Sequence, residues 1–241
     1  KSLTNSSNLI NGLVVMQLNV RGLNSTQKFN KLKTMISKIP YKIDIIILSE
    51  TKLLSKFPSQ LYQINGFNQH KCNRDSKNAG GGLLVFVNKM ITTFNVKILS
   101  TSFEKIVLNL KIGQATFKFI NVYRAPDKNN LQNFLLDIES EISTDEQSII
   151  IVGDININSN DNDNSNDAKT YRNILKSYDM SVSNIHPSRN ASNKTIDHFA
   201  CSHHLANLIQ NHTVCIDSSF SDHNMIISVI KDIKIKNRKL L

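Results

Sequence analysis

The feature that most constrains this chain is its series of short, continuous apolar runs bounded by polar turns. Leu13–Leu18 (LVVMQL) and Ile43–Leu48 (IDIIIL) are of this kind, as are Leu83–Val87 and Ser148–Val152. Such runs are the mark of strands buried on both faces. Between the first two, Thr26–Ile39 places Phe29, Leu32, Ile36 and Ile39 at helical spacing, with Pro40 as a stop. The opening therefore reads strand, helix, strand. Lys105–Ile112 alternates like a half-buried strand, and Thr116–Val122 follows it. A second helix fits Asn130–Ile142, with Leu131, Phe134, Leu135 and Ile138 on one face, and a third fits Ala168–Tyr178. Ser181–Ile185, Thr195–Ala200, Thr213–Asp217 and Asn224–Ile230 complete the expected strands. Asn156–Asp167, rich in turn formers, is expected to be a mobile surface loop. Interleaved strands and few helices predict an α/β architecture of two sheets flanked by helices. No repeat and no linker divides the chain, so residues 1–241 are expected to form one domain with a core at about 13–230.

Charge narrows the partners. Lys and Arg number 29 against 19 Asp and Glu, a net +10, which favours polyanions: nucleic acid first, acidic membrane second. A lysine-rich surface in an Asn-, Lys- and Ile-rich chain accounts for the same number without any partner. No apolar run reaches the ~18 residues of a membrane span. Cys72, Cys201 and Cys215 form no CxxC pair and are odd in number, which points away from a disulfide framework and toward a reducing compartment. Cys201, His203, His204, His212 and Cys215 lie close together, but their spacing matches no common zinc pattern. Asn-x-Ser/Thr triplets such as Asn24-Ser25-Thr26 and Asn211-His212-Thr213 are expected by chance in so Asn-rich a chain. The first residue is Lys1, with no signal-peptide pattern, as in a piece of a longer polyprotein or a chosen boundary. The basic tail Lys231–Leu241 is expected to lead toward a further region.

Polar residues gather where strands end. Asn19 follows the first strand, Glu50 the second, Tyr123 the run Ile120-Asn121-Val122, and Asp154 and Asn156 the run Ile149–Val152. Asp197 sits within an apolar strand, and Asp222-His223 precede the last one. Each alone has an ordinary explanation as a cap, turn or packed ring. Asp197 is the exception, because a carboxylate buried without a partner is costly. Together the set suits phosphodiester hydrolysis, which needs a cation on the phosphate, an activated water and a stabilised leaving oxygen. Glu50, with Asn19 or Asp222, offers the hard oxygen ligands that Mg²⁺ prefers, with Mn²⁺ as a substitute. Asp154 suits a general base, and Asn156 a holder of the water or phosphate. His223 paired with Asp197 would be fixed in orientation and stabilised in its charged form. The phenol of Tyr123 could donate toward the phosphate or leaving group.

The ordered strings LNVRGL (18–23), LSETK (48–52), AGGGLLVFV (79–87), NVYRAP (121–126), VGDIN (152–156), TIDHF (195–199) and SDHN (221–224) resemble the endonuclease/exonuclease/phosphatase superfamily. Within it the chain resembles the apurinic-type endonuclease domain of non-LTR (LINE-type) retrotransposons. The resemblance implies a four-layer α/β sandwich of two facing mixed sheets, with the site along one rim. It makes Asn19 and Glu50 metal or metal-shell residues, Tyr123 a phosphate or leaving-group contact, and Asp222 a metal-side or orienting acid. It pairs Asp154 with Asn156 around the attacking water, and Asp197 with His223. One departure is Ile155, where the GDFN string of the family carries an aromatic residue. It further implies double-stranded DNA as partner, a nuclear location and a reverse transcriptase in the same polyprotein.

Abasic-site repair enzymes and phosphatases share this constellation. The repair enzymes carry a Trp-Asn-x-Asn-Gly stretch after the first strand, whereas this chain reads Leu18-Asn19-Val20-Arg21-Gly22 and has no Trp. The segment Asn184–Lys194, with Arg189 and Lys194, is expected to form a hairpin beside Asp197. In the resembled family such a hairpin probes the minor groove, where an Arg reads shape more than base identity. Arg21, Arg74 and Arg124 flank motif positions and are candidate phosphate contacts.

Overall fold

The computed structural model describes residues 12–23, 25–74, 80–143, 148–160, 163–184, 186–189, 192–233 and 235. In chain order the elements are β1 Gly12–Asn19, α1 Thr26–Ser37, β2 Ile45–Ser49, β3 Phe67–Cys72, β4 Leu83–Asn88, β5 Thr92–Ser100 and β6 Glu104–Ile112. They continue with β7 Ala115–Tyr123, α2 Leu131–Ile142, β8 Ile149–Asp154, α3 Asn166–Ser177 and β9 Met180–Val182. The last are β10 Asp197–Ser202, α4 His203–Ala206, β11 Ile209–Val214 and β12 Met225–Lys231. The strands form two six-stranded sheets, ordered β11-β12-β1-β2-β4-β3 and β5-β6-β7-β8-β10-β9.

Each sheet holds one parallel pair at its centre, joined by a helical crossover. In one, β1 and β2 run parallel with α1 between them in sequence, and in the other β7 and β8 run parallel around α2. The remaining pairings are antiparallel. The continuous apolar runs are explained by this layering, because a central strand covered on both faces has no polar side. Val15, Ile47, Val85, Leu108, Val152 and Phe199 meet between the sheets. Alternate residues face outward: Val14, Met16 and Ile46 join Phe29 and Leu32 of α1, while Ile120 and Ile151 join Phe134, Ile138, Tyr171 and Leu175 of α2 and α3. Helix, sheet, sheet and helix thus stack around three apolar layers, the expected α/β sandwich.

The differences lie at the edges. Edge strand β5, with seven of its nine residues exposed, and edge strand β3, rich in polar residues, carry no apolar run to announce them. The expected strand Thr213–Asp217 lies earlier, at β11, where Ile209 to Val214 pair with Ile230 to Met225. The strand expected at Thr195–Ala200 starts at Asp197, and that expected at Ser181–Ile185 is Met180–Val182, Ile185 itself lying outside the described residues. Part of the 156–167 loop is anchored: Ser159 N donates to Thr195 O at 2.9 Å, and Thr195 N to Asn158 Oδ1 at 3.0 Å. Ala79, Asn190, Ala191, Lys234 and the tail from Lys236 also fall outside the described residues. Among the described residues, no helix is long and apolar enough to cross a membrane.

Candidate active site

The two parallel pairs present their carboxyl ends to one rim, where open α/β sheets gather ligand-binding groups. Asn19 ends β1 beside Ser49 of β2, and Tyr123 ends β7 beside Asp154 of β8. Antiparallel β10 delivers Asp197 from its opposite end, directly across from Asp154. His223 precedes β12, which runs antiparallel to β1. Residues distant in sequence therefore meet because strand direction places them at one end.

Where these strands stop, the backbone turns through the left-handed region at non-glycine residues: Arg21 (φ 50°), Glu50 (φ 50°) and Asn156 (φ 53°). Such residues are uncommon and persist where the surroundings hold them. Here Gly22 N donates to Glu50 O at 2.6 Å, and Lys52 N to Gly81 O at 2.8 Å. The Asn156 turn is held by its own backbone N–H on Asp154 Oδ1 (3.1 Å) and by its Nδ2 on Arg124 O (2.8 Å).

The centre of the site is a buried polar network. Asn19 Nδ2 donates to Asp154 Oδ2 at 2.7 Å and to Glu50 Oε1 at 3.1 Å. Tyr123 OH donates to the same Glu50 oxygen at 3.1 Å. Asp197 Oδ2 lies 2.6 Å from His223 Nδ1, and its Oδ1 accepts from Gln17 Nε2 at 2.7 Å. Asp197 and Asp154 are fully buried, and His223 nearly so.

Several residues of this frame carry no motif. Gln17 sits inside an apolar run, two residues from Asn19 and so on the same strand face. That single polar residue in LVVMQL was the available signal. Ser188 Oγ accepts from Ile196 N and Asp197 N, and Ser221 Oγ donates to Asn19 O while accepting from His223 N. Nothing in the sequence separates these serines from loop serines elsewhere.

Burial raises the proton affinity of Asp154 well above the carboxylate range, and Asp197 and Glu50 add to it. Burial alone would lower His223, but Asp197, Asp154 and Asp222 outweigh it and lift the imidazole to about 9. His223 is therefore an imidazolium at neutral pH. Burial and Glu50 push the Tyr123 phenol far up, so it stays a donor. Burial also works against ionised Asp222, yet His223, Arg21 and Arg189 hold its carboxyl below the usual range.

The donor set fits a divalent cation. Asp154, Asp197 and His223 offer ligand atoms all within 4.8 Å of one another. His223 Nδ1 is already bonded to Asp197, and Mg²⁺ prefers oxygen. Glu50, which shares the Asn19 amide with Asp154, adds a further carboxylate oxygen beside them. A cation there offsets the excess of carboxylates over the one imidazolium.

The basic residues separate into two groups. Arg21 lies over the rim, with Nε 2.8 Å from Asp222 Oδ1 and NH1 3.4 Å from Glu50 Oε1. Arg189 reaches the other Asp222 oxygen at 3.1 Å and bridges Lys194 and His223 through its backbone. Lys194 is exposed. Arg124 is a correction: it is 3 % exposed, and its guanidinium donates to the carbonyls of Ile155, Asp127 and Asn156 and to Asn130 Oδ1. Committed to these acceptors, it braces the Asp154–Asn156 turn instead of meeting a phosphate. Arg74 is gripped by Glu104.

Residues 16–223 match the model of the Endonuclease/Exonuclease/phosphatase family. A search of curated protein sequences found no match. Among solved structures, the fold is similar to a 3'-5' exonuclease (NExo) from Neisseria meningitidis, at TM-score 0.68 and 16% identity over 91% of this chain and 100% of that one. It is similar to the endonuclease domain of TRAS1, a telomere-specific non-LTR retrotransposon, at TM-score 0.63 and 15% identity over 94% and 100%. It is also similar to the AP endonuclease LMAP from Leishmania major, at TM-score 0.69 and 14% identity over 91% and 87%. With the match running from within β1 to His223 and so taking in all of the polar rim, the chain belongs to the endonuclease/exonuclease/phosphatase family, as a metal-dependent phosphodiesterase.

Proposed function

We propose that this chain is a Mg²⁺-dependent endonuclease that hydrolyses a phosphodiester of double-stranded DNA, nicking the target strand for integration of a non-LTR retrotransposon. In this reading it acts in the nucleus, beside a reverse transcriptase in a larger polyprotein. The observation that carries the chemistry is the meeting of buried Asp154, held by Asn19, with the Asp197–His223 pair at one rim. DNA as substrate is supported by the +10 charge and by Arg21 and Arg189 at that rim. The retrotransposon role is supported by the LINE-type order of the motifs and the likeness to the TRAS1 domain.

Each residue has a task. Asp154, with one oxygen on Asn19 and the other on the Asn156 backbone, is fixed to take a proton from the attacking water. The His223 imidazolium stabilises charge gathering on the phosphoryl oxygens, and Asp197 keeps it oriented and charged. Tyr123 stays protonated and can donate toward the leaving oxygen. A divalent cation held by Glu50 would neutralise the phosphate and the developing oxyanion.

The test is nicking of supercoiled plasmid by purified protein with Mg²⁺ or Mn²⁺. Nicks lost in Asp154→Ala and His223→Ala support the reading; nicks that survive both defeat it. An abasic-site repair enzyme would instead cut an abasic oligonucleotide far faster than intact duplex. A phosphatase would release phosphate from soluble esters, with little salt dependence of binding.

A further inference from the structure

A ring of contacts runs from Tyr123 through Glu104, Arg74 and Gly81 to Lys52 and Glu50. Glu104, the first residue of β6, is fully buried and stands in register with Tyr123 at the end of β7. Its carboxylate accepts from Arg74 Nε and, at 2.8 Å, from Arg74 NH2. This two-point grip leaves the guanidinium over the Tyr123 ring, with Cζ 5.8 Å from the ring centroid. That is the range of a cation–π contact. The phenol at the far end of the same ring donates to Glu50 at 3.1 Å.

Gly81 closes the ring. Its φ is +80°, and a Cβ there would stand 2.5 Å from Glu104 Oε1 and 2.9 Å from Arg74 Nε. Its carbonyl accepts from Lys52 N, two residues beyond Glu50, at 2.8 Å. A buried carboxylate is tolerated only with a partner, and a planar guanidinium is the partner that also stacks on an aromatic face. We infer that Glu104 and Arg74 are positioning residues for the hydrolytic reaction: together they hold the Tyr123 ring at the angle from which its hydroxyl meets Glu50 and the scissile phosphate. This rests on the phosphodiesterase reading of the site, and it gives Arg74 a task other than contact with the DNA backbone.

Two measurements decide it. In plasmid nicking, Arg74→Lys keeps the charge but loses the two-point grip and the flat stack. It should lower kcat about tenfold, a change of ~1.4 kcal/mol in the barrier. KM and the salt dependence of DNA binding should stay at wild-type values, and the loss should not add to that of Tyr123→Phe in the double variant. A raised KM with a salt slope reduced by about one marks a phosphate contact and overturns the proposal, as does full additivity. In DNA-free protein labelled with fluorotyrosine, one of five fluorine resonances disappears in Tyr123→Phe and is thereby assigned. That resonance should shift in Arg74→Lys and in Glu104→Gln; if it stays in place in folded Arg74→Lys protein, the positioning role is wrong. Should wild-type protein fail to nick DNA, the endonuclease reading falls alone, because the resonance reports on Tyr123 without substrate.

Discussion

His223 Nδ1 lies 2.6 Å from Asp197 Oδ2, and both side chains are buried. The pair joins the loop before β12 to the first residue of β10, so it spans the two sheets as well as supplying a charged donor. Asp197 itself is held from the other side by Gln17.

Asp197→Asn keeps the size of the side chain but removes the charge that keeps His223 protonated. Nicking rates should fall by about 10²- to 10³-fold, the usual range for loss of one donor to the developing charge. Initial rates on supercoiled plasmid check this, and a loss under threefold would contradict the assigned role.

Gly153 has φ +146°, and an added Cβ would sit far inside van der Waals contact distance of Val122 O in the parallel β7–β8 pair. Gly153→Ala must push these strands apart immediately before Asp154. A loss of more than about 3 kcal/mol is expected, read as a lowered denaturant midpoint together with lost activity.

His198 gives the fold an acid sensitivity separate from catalysis. Its ring is fully buried against Tyr171 (centroids 5.4 Å apart), with Nε2 donating to Thr195 O at 3.1 Å. Burial drops its pKa from 6.5 to about 4. The unfolded chain therefore takes up a proton below pH ~6.5 that the folded one refuses until near pH 4. Its stability contribution is full above about 6.5 and is lost as pH falls toward 4, by up to about 3 kcal/mol. His198→Phe should flatten the stability profile over that window, as urea titrations at several pH values would show.

Removal of divalent cations should abolish nicking, and added Mg²⁺ or Mn²⁺ should restore it. A cation that binds only the folded protein also stabilises it, by about 2.7 kcal/mol at a hundredfold excess over its Kd. Glu50→Gln should shrink the cation-dependent rise in melting temperature. An equal rise in the variant would remove Glu50 from the ligand set.

Arg189 and Arg124 should behave oppositely. Arg189→Ala should weaken DNA binding and reduce its salt slope by about one, with little change in melting temperature. Arg124→Met should lower the melting temperature while leaving the salt slope of binding unchanged, because its donors are spent on protein acceptors.

Much of this protein could be read without coordinates. Apolar runs such as Leu13–Leu18 and Ile149–Val152 are strands because a strand covered on both faces has no polar side to show. Asn19, Glu50, Tyr123, Asp154 and His223 could be picked out together because functional groups gather where rigid strands end, and Asp197 because a buried carboxylate needs a partner. The sequence by itself thus determined the strands of the sandwich centre and the residue types of the rim. It could not determine which side chains meet. Asn19 bridging Asp154 and Glu50, Gln17 bracing Asp197, and Glu104 drawing Arg74 over Tyr123 are contacts across 30 to 180 positions of chain. Edge strands β3 and β5 were illegible for a related reason: covered incompletely, they carry no continuous apolar run, and backbone pairing defines them. Arg124 and Arg189 are the same residue type near the same site, yet one is buried in carbonyls and the other stands at the mouth. Only the tertiary structure decided that, because burial depends on what the other strands bring alongside.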